Sequence, residues 1–177
     1  MTTTKWTLDP THAEIQFKIR HMMVSTVTGS FGKFDATIET TDDNFETAKI
    51  AFSAEVDSIT TNNAQRDGHL KSADFFEREK FPTLDFKSTK FEKVSGEQYT
   101  LYGDLTLRGV TKNIKLSVDH GGVVKDPYGF TRTGFSLEGK IDRRDFNVSY
   151  NGPLENGGLI LGEEVKIHAN VEFTKQA

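Results

Sequence analysis

Five histidines, His12, His21, His69, His120 and His168, carry whatever acid–base or metal chemistry this chain can perform near neutral pH. No two are four residues apart, and none is joined at ligand spacing by a second histidine and a carboxylate, so no metal centre is indicated. His168 shares its parity with Lys166 and Asn170 and belongs on a solvent face. His12 follows Asp9 by three residues and is expected to tie down the N-terminal turn. His21 differs: it extends the alternation Ile15, Phe17, Ile19 and so points inward, where an imidazole must find a partner or stay neutral at a cost. There is no cysteine, no G-x-S-x-G elbow, no S-x-x-K set and no glycine-rich phosphate loop. Nucleophilic hydrolysis and nucleotide chemistry are therefore unsupported. The stretch Asp142-Arg143-Arg144-Asp145 reads as an acid–base carboxylate pair or as a salt-bridged strand end. Arg143 continues the inward alternation Phe135, Leu137, Gly139, Ile141, and either clamps an anionic head group with its planar donor fork or pairs with Asp67 or Asp74.

The elements that must hold these side chains have a period of two. Apolar residues alternate with polar ones at Ile15–Ile19, Ile50–Val56, Leu101–Leu107, Ile114–Val118, Phe135–Ile141 and Val165–Phe173, with shorter strands expected at Phe34–Thr40 and Thr83–Phe91. Turn residues punctuate them at Thr28-Gly29, Asp42-Asp43-Asn44, Ser95-Gly96, Arg108-Gly109, Gly121-Gly122, Asn151-Gly152-Pro153 and Asn156-Gly157-Gly158. One polar face per strand means antiparallel pairing. About eight such strands close most economically into a barrel, although a two-sheet sandwich satisfies the same alternation. The connection 58–83 is too long for a hairpin. Asn62 or Asn63 can cap a short helix through Lys71, and Asp74 with Glu77 forms a capping box over Phe75 and Phe76 before Pro82 ends the excursion. A helix pair there would plug or gate one mouth. Inward Gly103 and Gly139 remove volume and would leave room for a guest.

The chain has 177 residues, which suits one domain, and its 14 phenylalanines argue for a folded core. Net charge is −4 with no long run of either sign, which gives nucleic acid no electrostatic footprint. No apolar stretch reaches the length of a membrane span. The N-terminus shows no basic flank and apolar run of a secretory signal, so a cytoplasmic location is expected, or a periplasmic one if a leader has been removed.

These elements resemble the YceI-like family, lipocalin-like polyisoprenoid-binding proteins of bacteria, over nearly the whole chain. The resemblance rests on Asp9 to His12 before Ile15 and Phe17; on His21, Ser25, Gly29 and Phe31; and on Arg66, Asp67, His69, Leu70, Ser72, Phe75 and Phe76, followed by Pro82 and Phe86. It continues through Gly103, Leu105, Thr106, Gly109, Val110 and Thr111 to Arg143, Asp145 and Phe146. It implies an all-β, eight-stranded antiparallel barrel with short helices near one end, enclosing an apolar tunnel for a long-chain isoprenoid or fatty lipid. It also implies binding without catalysis and without a cofactor, frequent export, and pairing as a homodimer. Asn147 stands where the family tends to have glycine, and asparagine tolerates the left-handed conformation such a turn needs. The expected ligand wall, taken from parity, is Phe17, Ile19, His21, Met23, Ser25, Phe52, Arg66, His69, Phe75, Phe76, Phe86, Leu105, Leu107, Phe135, Ile141 and Arg143. His21 and Ser25 should mark where the tunnel turns polar. Two rival readings remain: an enzyme for an amphiphile using His21, His69 and Asp67 or Asp145, and a solid barrel serving as an interaction module.

Overall fold

The computed structural model describes residues 2–152 and 159–176. Its strands are β1 (Thr3–Leu8), β2 (Glu14–His21), β3 (Ser25–Phe31), β4 (Phe34–Thr41), β5 (Asn44–Glu55), β6 (Ile59–Thr60), β7 (Thr83–Ser95), β8 (Gln98–Leu107), β9 (Val110–Lys125), β10 (Thr131–Asp142) and β11 (Leu161–Lys175). All pair antiparallel, in the order β1-β4-β5-β7-β8-β9-β10-β11, and β11 returns to β1 to close an eight-stranded barrel. Closure leaves those strands with no free edge. β2, β3 and β6 continue outward from the N-terminal part of β11, so that β1 and β2 share one side of that long strand.

The barrel thus has the expected strand number but not the expected membership. The alternation Thr4, Trp6, Leu8 makes β1, and its pairing Leu8 with Phe173 and Trp6 with Ile38 supplies the seam. β2 instead joins the β2–β3 flange. At one end, called here the rim, the strands β2, β8 and β10 finish and β7, β9 and β11 begin; the connection 58–83 lies there. The other end is closed by aromatic side chains.

Two turn assignments need correction. Thr28-Gly29 lies inside β3, and the reversal falls at Met22–Val24. Gly29 is there because it faces Phe17: a Cβ would sit 2.2 Å from the Phe17 ring. Gly121-Gly122 lies in β9 beside an irregularity in the β9–β10 ladder, whose reversal is at Asp126–Phe130. Pro153 and Asn156-Gly157-Gly158 fall outside the described residues.

The connection holds one helix, not two. α1 (Ala64–Leu70) begins at Asn63, whose side chain accepts from Arg66 N–H. The expected capping box does not form, because the Asp74 carboxylate is bonded to His69 Nε2 at 2.8 Å and Glu77 has a positive φ of 51°. Successive turn hydrogen bonds replace it: Phe75 N–H to Ser72 O, Arg78 N–H to Lys71 O and Phe81 N–H to Glu77 O.

Trp6 and Phe45 pack 5.4 Å apart at the closed end, Phe135 stands edge-on to Phe45, Phe91 and Phe173, and buried His120 stacks on Phe135 at 4.8 Å. His120 Nε2 bonds the Thr133 hydroxyl at 2.7 Å. Its Nδ1 lies 2.9 Å from Glu97 Oε2; loss of hydration outweighs the pull of that carboxylate and holds the imidazole below its ordinary pKa. Nearby, Asp9 bonds His12 at 2.9 Å, the tie expected from their spacing, and Arg132 at 2.9 Å. The Thr11 hydroxyl and His12 hold Asp9 well below the usual carboxylate range, and Asp9 in turn raises His12. The Asp9, His12 and Glu172 donor atoms lie together, but the Arg132 guanidinium already occupies their centre of negative charge.

Candidate ligand tunnel

The barrel is hollow. A cavity of about 470 Å³ runs from Phe45, Phe91 and Phe173 at the closed end to His21, His69 and Tyr150 at the rim. That volume lies in the range of small-molecule sites. The expectation that Gly103 and Gly139 create the space is wrong. An ideal Cβ at Gly103 would lie 2.2 Å from Phe86 Cζ, and one at Gly139 would lie 2.3 Å from Leu116 Cδ2. These glycines let neighbouring side chains lean across the strand and are filled by them. At the rim half Ile15, Phe17, Ile19 and Val27 of β2 and β3 join the wall. An eight-stranded barrel is just wide enough to be filled by side chains or to hold one small ligand.

Fourteen of the residues expected to form the wall line this cavity: Phe17, Ile19, His21, Phe52, Arg66, His69, Phe75, Phe76, Phe86, Leu105, Leu107, Phe135, Ile141 and Arg143. Met23 and Ser25 do not. The Met22–Val24 turn carries Met23 past the end of the sheet, leaving it 63% exposed. Ser25 stands opposite His21 in the β2–β3 register but is exposed, and no hydrogen bond joins the two. Tyr150, Val148 and Ile160 also line the cavity and were not foreseen, since they lie in irregular chain after β10 where no period marks a face. An isolated aromatic in the polar run Ser149-Tyr150-Asn151-Gly152 is the one cue for Tyr150.

Apart from Gln16, the polar side chains of the lining belong to elements at the rim. His21 ends β2, with Leu161 opposite it on β11. His69 on α1 is held by Asp74 and stands edge-on to the rings of Phe75 and Tyr150, each 5.0 Å away. Arg66, one turn earlier, donates from Nε and Nη2 to the hydroxyl and carbonyl of Thr61 at 2.7 and 2.8 Å. Asp67 accepts from the backbone N–H and hydroxyl of the same threonine. Both residues therefore anchor α1 to the chain before it.

Arg143 is the most buried cation of the site, 3% exposed. It opens a short 3-10 turn, Arg143–Phe146, which Asp142 caps and which ends at Asn147 with φ 60° and ψ 20°, the left-handed conformation that asparagine tolerates. Arg143 donates from Nε to Gly162 O at 2.9 Å and from Nη1 to Val148 O at 2.7 Å. Among the described residues no carboxylate forms an ion pair with it, so the pairing with Asp67 or Asp74 is not made. Arg144 takes the local acids instead, bonding Asp142 at 2.6 Å and Glu163 at 3.1 Å, which makes the outer part of the cluster a salt-bridged strand end. Burial lowers the Arg143 pKa from its ordinary value, with Glu163 and Asp142 acting against it from a distance. Among the described residues its direct hydrogen bonds go to carbonyl oxygens, while Glu163 and Asp142 act on it only from a distance. An anion arriving at the rim end of the tunnel would complete it.

The YceI-like domain matches residues 6–173 of this sequence. The chain belongs to the YceI-like family. Among its relatives, the UPF0312 protein SA2479 of Staphylococcus aureus (strain N315) is 39% identical over 172 residues, spanning 97% of this chain and 98% of that protein. The YceI protein of Campylobacter jejuni superimposes with a TM-score of 0.78 at 33% identity, covering 90% of this chain and 91% of its own. A polyisoprenoid binding domain from Saccharophagus degradans, implicated in plant cell wall breakdown, shares the fold at TM-score 0.68 and 14% identity, over 97% of this chain and 98% of that domain. The YceI-like barrel and its family are thereby established for this chain. Among the described residues, no helix is long and apolar enough to cross a membrane.

Proposed function

We propose that this YceI-like chain binds a long-chain isoprenoid or similar amphiphilic lipid, tail toward the closed end and head group at the rim, without transforming it. The observation that carries this reading is the segregation inside the cavity: aliphatic and aromatic wall along its length, with His21, Arg66, His69, Arg143 and Tyr150 on rim elements. Each methylene moved from water into such a wall contributes about 0.8 kcal/mol, so ten give roughly 8 kcal/mol, and a longer tail offsets the ordering costs to reach about micromolar retention. Arg143, buried and without an ion pair among the described residues, favours a head group with negative charge or strong acceptors. The Saccharophagus degradans domain, a polyisoprenoid binding domain of the same fold, points the same way. The catalytic alternative has less support, because Asp67 is engaged by Thr61 and Asp145 does not line the cavity.

Organic extraction of purified protein followed by mass spectrometry should yield a long-chain lipid in near-stoichiometric amount. Ile114→Phe, which places a ring at a partly buried wall position, should lower retention about tenfold or more while changing stability by less than about 1.5 kcal/mol. A blank extract from native protein, with no uptake of added lipid, would end this reading.

A further inference from the structure

The β2–β3 turn spends conformational energy to display apolar side chains. Met22 and Met23 have φ of 52° and 60°, a left-handed region in which non-glycine residues are costly, and Val24 N–H closes the turn on His21 O at 3.1 Å. Asparagine and glycine suit such a turn. Here the chain carries two methionines and a valine, 41%, 63% and 76% exposed. The tip sits at the tunnel rim: His21 lines the cavity, Met22 N–H bonds Ile160 O at 2.6 Å, and exposed Leu159 flanks the same surface depression as Met23. Of the acids in that depression, Asp142 and Glu163 are paired with Arg144, and Glu164 with Lys140. Behind it, the outer face presents a lysine row in which Lys140 pairs across to Lys166 and Lys166 to Lys18. Like charges directly opposed destabilise a sheet. Among the described residues, Lys18, Lys166 and Arg20 form no ion pair, and Arg20 donates to Met23 O and the Thr26 hydroxyl. Arg20 lies two residues from Met22, about 7 Å along the strand and within the roughly 8 Å Debye length at physiological salt, whereas Lys18, about 13 Å away, reaches the surface fully only at low salt.

We infer that the Met22-Met23-Val24 tip docks on an anionic lipid surface, inserting its side chains at the head-group boundary while the lysine row and Arg20 face the negative charge. The rim of the tunnel is then set against the source of its ligand; the purpose of docking, though not its geometry, rests on the lipid-binding reading above. The β9–β10 tip also exposes apolar side chains, Val124 and Tyr128 among them, but lies at the closed end and serves as a control.

The test is co-sedimentation with phosphatidylcholine–phosphatidylglycerol vesicles, with pure phosphatidylcholine vesicles alongside. The double variant Met22→Asn, Met23→Gly suits the turn and should stay folded, yet bind anionic vesicles at least about tenfold more weakly. Lys18→Gln with Lys166→Gln should remove most of the preference for phosphatidylglycerol and its salt dependence. Val124→Ser with Tyr128→Ser should leave binding unchanged. Undiminished vesicle binding by the methionine double variant, an equal loss in the closed-end variant, or no vesicle binding by the native chain would each overturn docking. Uptake of detergent-dispersed lipid is measured in parallel. Uptake without vesicle binding sinks the docking proposal alone, whereas tip-dependent vesicle binding without uptake supports docking and sinks the tunnel reading.

Discussion

The two ends of this barrel are built from the same alternating strands and do opposite things with them. At the closed end Trp6, Phe45, Phe135 and Phe173 meet ring on ring, each at most 7% exposed, and even the imidazole of His120 is stacked into the cluster. At the rim the inward positions carry His21, Arg66, His69, Arg143 and Tyr150 around a hollow. The contrast shows that an inward position specifies only burial. Whether it becomes packing or a binding wall depends on the circumference at that level and on what completes the strand ends. β1 seals the closed end by joining β4 to β11, whereas at the rim β11 pairs with β2, whose residues join the wall.

If this division is correct, stability belongs mainly to the closed end. Trp6→Ala should cost about 3–5 kcal/mol in denaturant unfolding, the largest effect expected, because Trp6 is 1% exposed and spans the β1 seam. A Trp6→Ala protein of native stability would abolish the comparison. Arg143→Met should come next, at about 2–3 kcal/mol, because it strands the Gly162 and Val148 carbonyls. Unlike Trp6→Ala it should also weaken retention of anionic-headed lipids more than neutral ones, measured by competitive loading.

Gly103→Ala addresses the wall between the two ends. Its methyl meets the Phe86 ring at 2.2 Å and the Lys87 carbonyl oxygen at 2.7 Å, so the ring must swing into the cavity. A cost of about 1–3 kcal/mol with reduced lipid capacity is expected. The smallest effect concerns pH. Burial keeps His120 neutral in the folded state, with its pKa below the unfolded value of 6.5. Below pH 6.5 the unfolded chain therefore binds more protons at this site and stability falls as pH falls, until the folded pKa is passed. The slope from one group is at most about 1.4 kcal/mol per pH unit. His12, raised by Asp9, contributes the opposite slope: its stabilisation is full below pH 6.5 and is lost as pH rises through the folded value. His120→Gln should remove the acid-side loss and leave the alkaline-side one, read from unfolding midpoints across pH 5 to 8.

Much of the tunnel was legible because side-chain parity is decided within a few residues of chain. Phe17, Ile19 and His21, or Phe135, Ile141 and Arg143, declare one face by their spacing alone, and a barrel turns one face into one interior. Met23 and Ser25 failed because parity does not extend around a turn, and a turn at Met22–Val24 carried no glycine to announce it. Tyr150 and Val148 were missed for the complementary reason: they reach the tunnel from chain without a period. The second helix failed when a neighbour outbid the local motif, since His69 holds the Asp74 carboxylate that would have capped it.

The amino-acid order alone determined eight of the strands, their antiparallel pairing, the inward face and the rim identity of its charged members, all properties of residues close together in the chain, but not β1, β3 or β6. Tertiary structure decided that β1 rather than β2 closes the barrel, that Phe86 and Leu116 fill the spaces beside Gly103 and Gly139, and that the Gly162 and Val148 carbonyls hold Arg143. Those outcomes depend on which distant segments meet and how much volume is left between them, and no local period encodes either quantity.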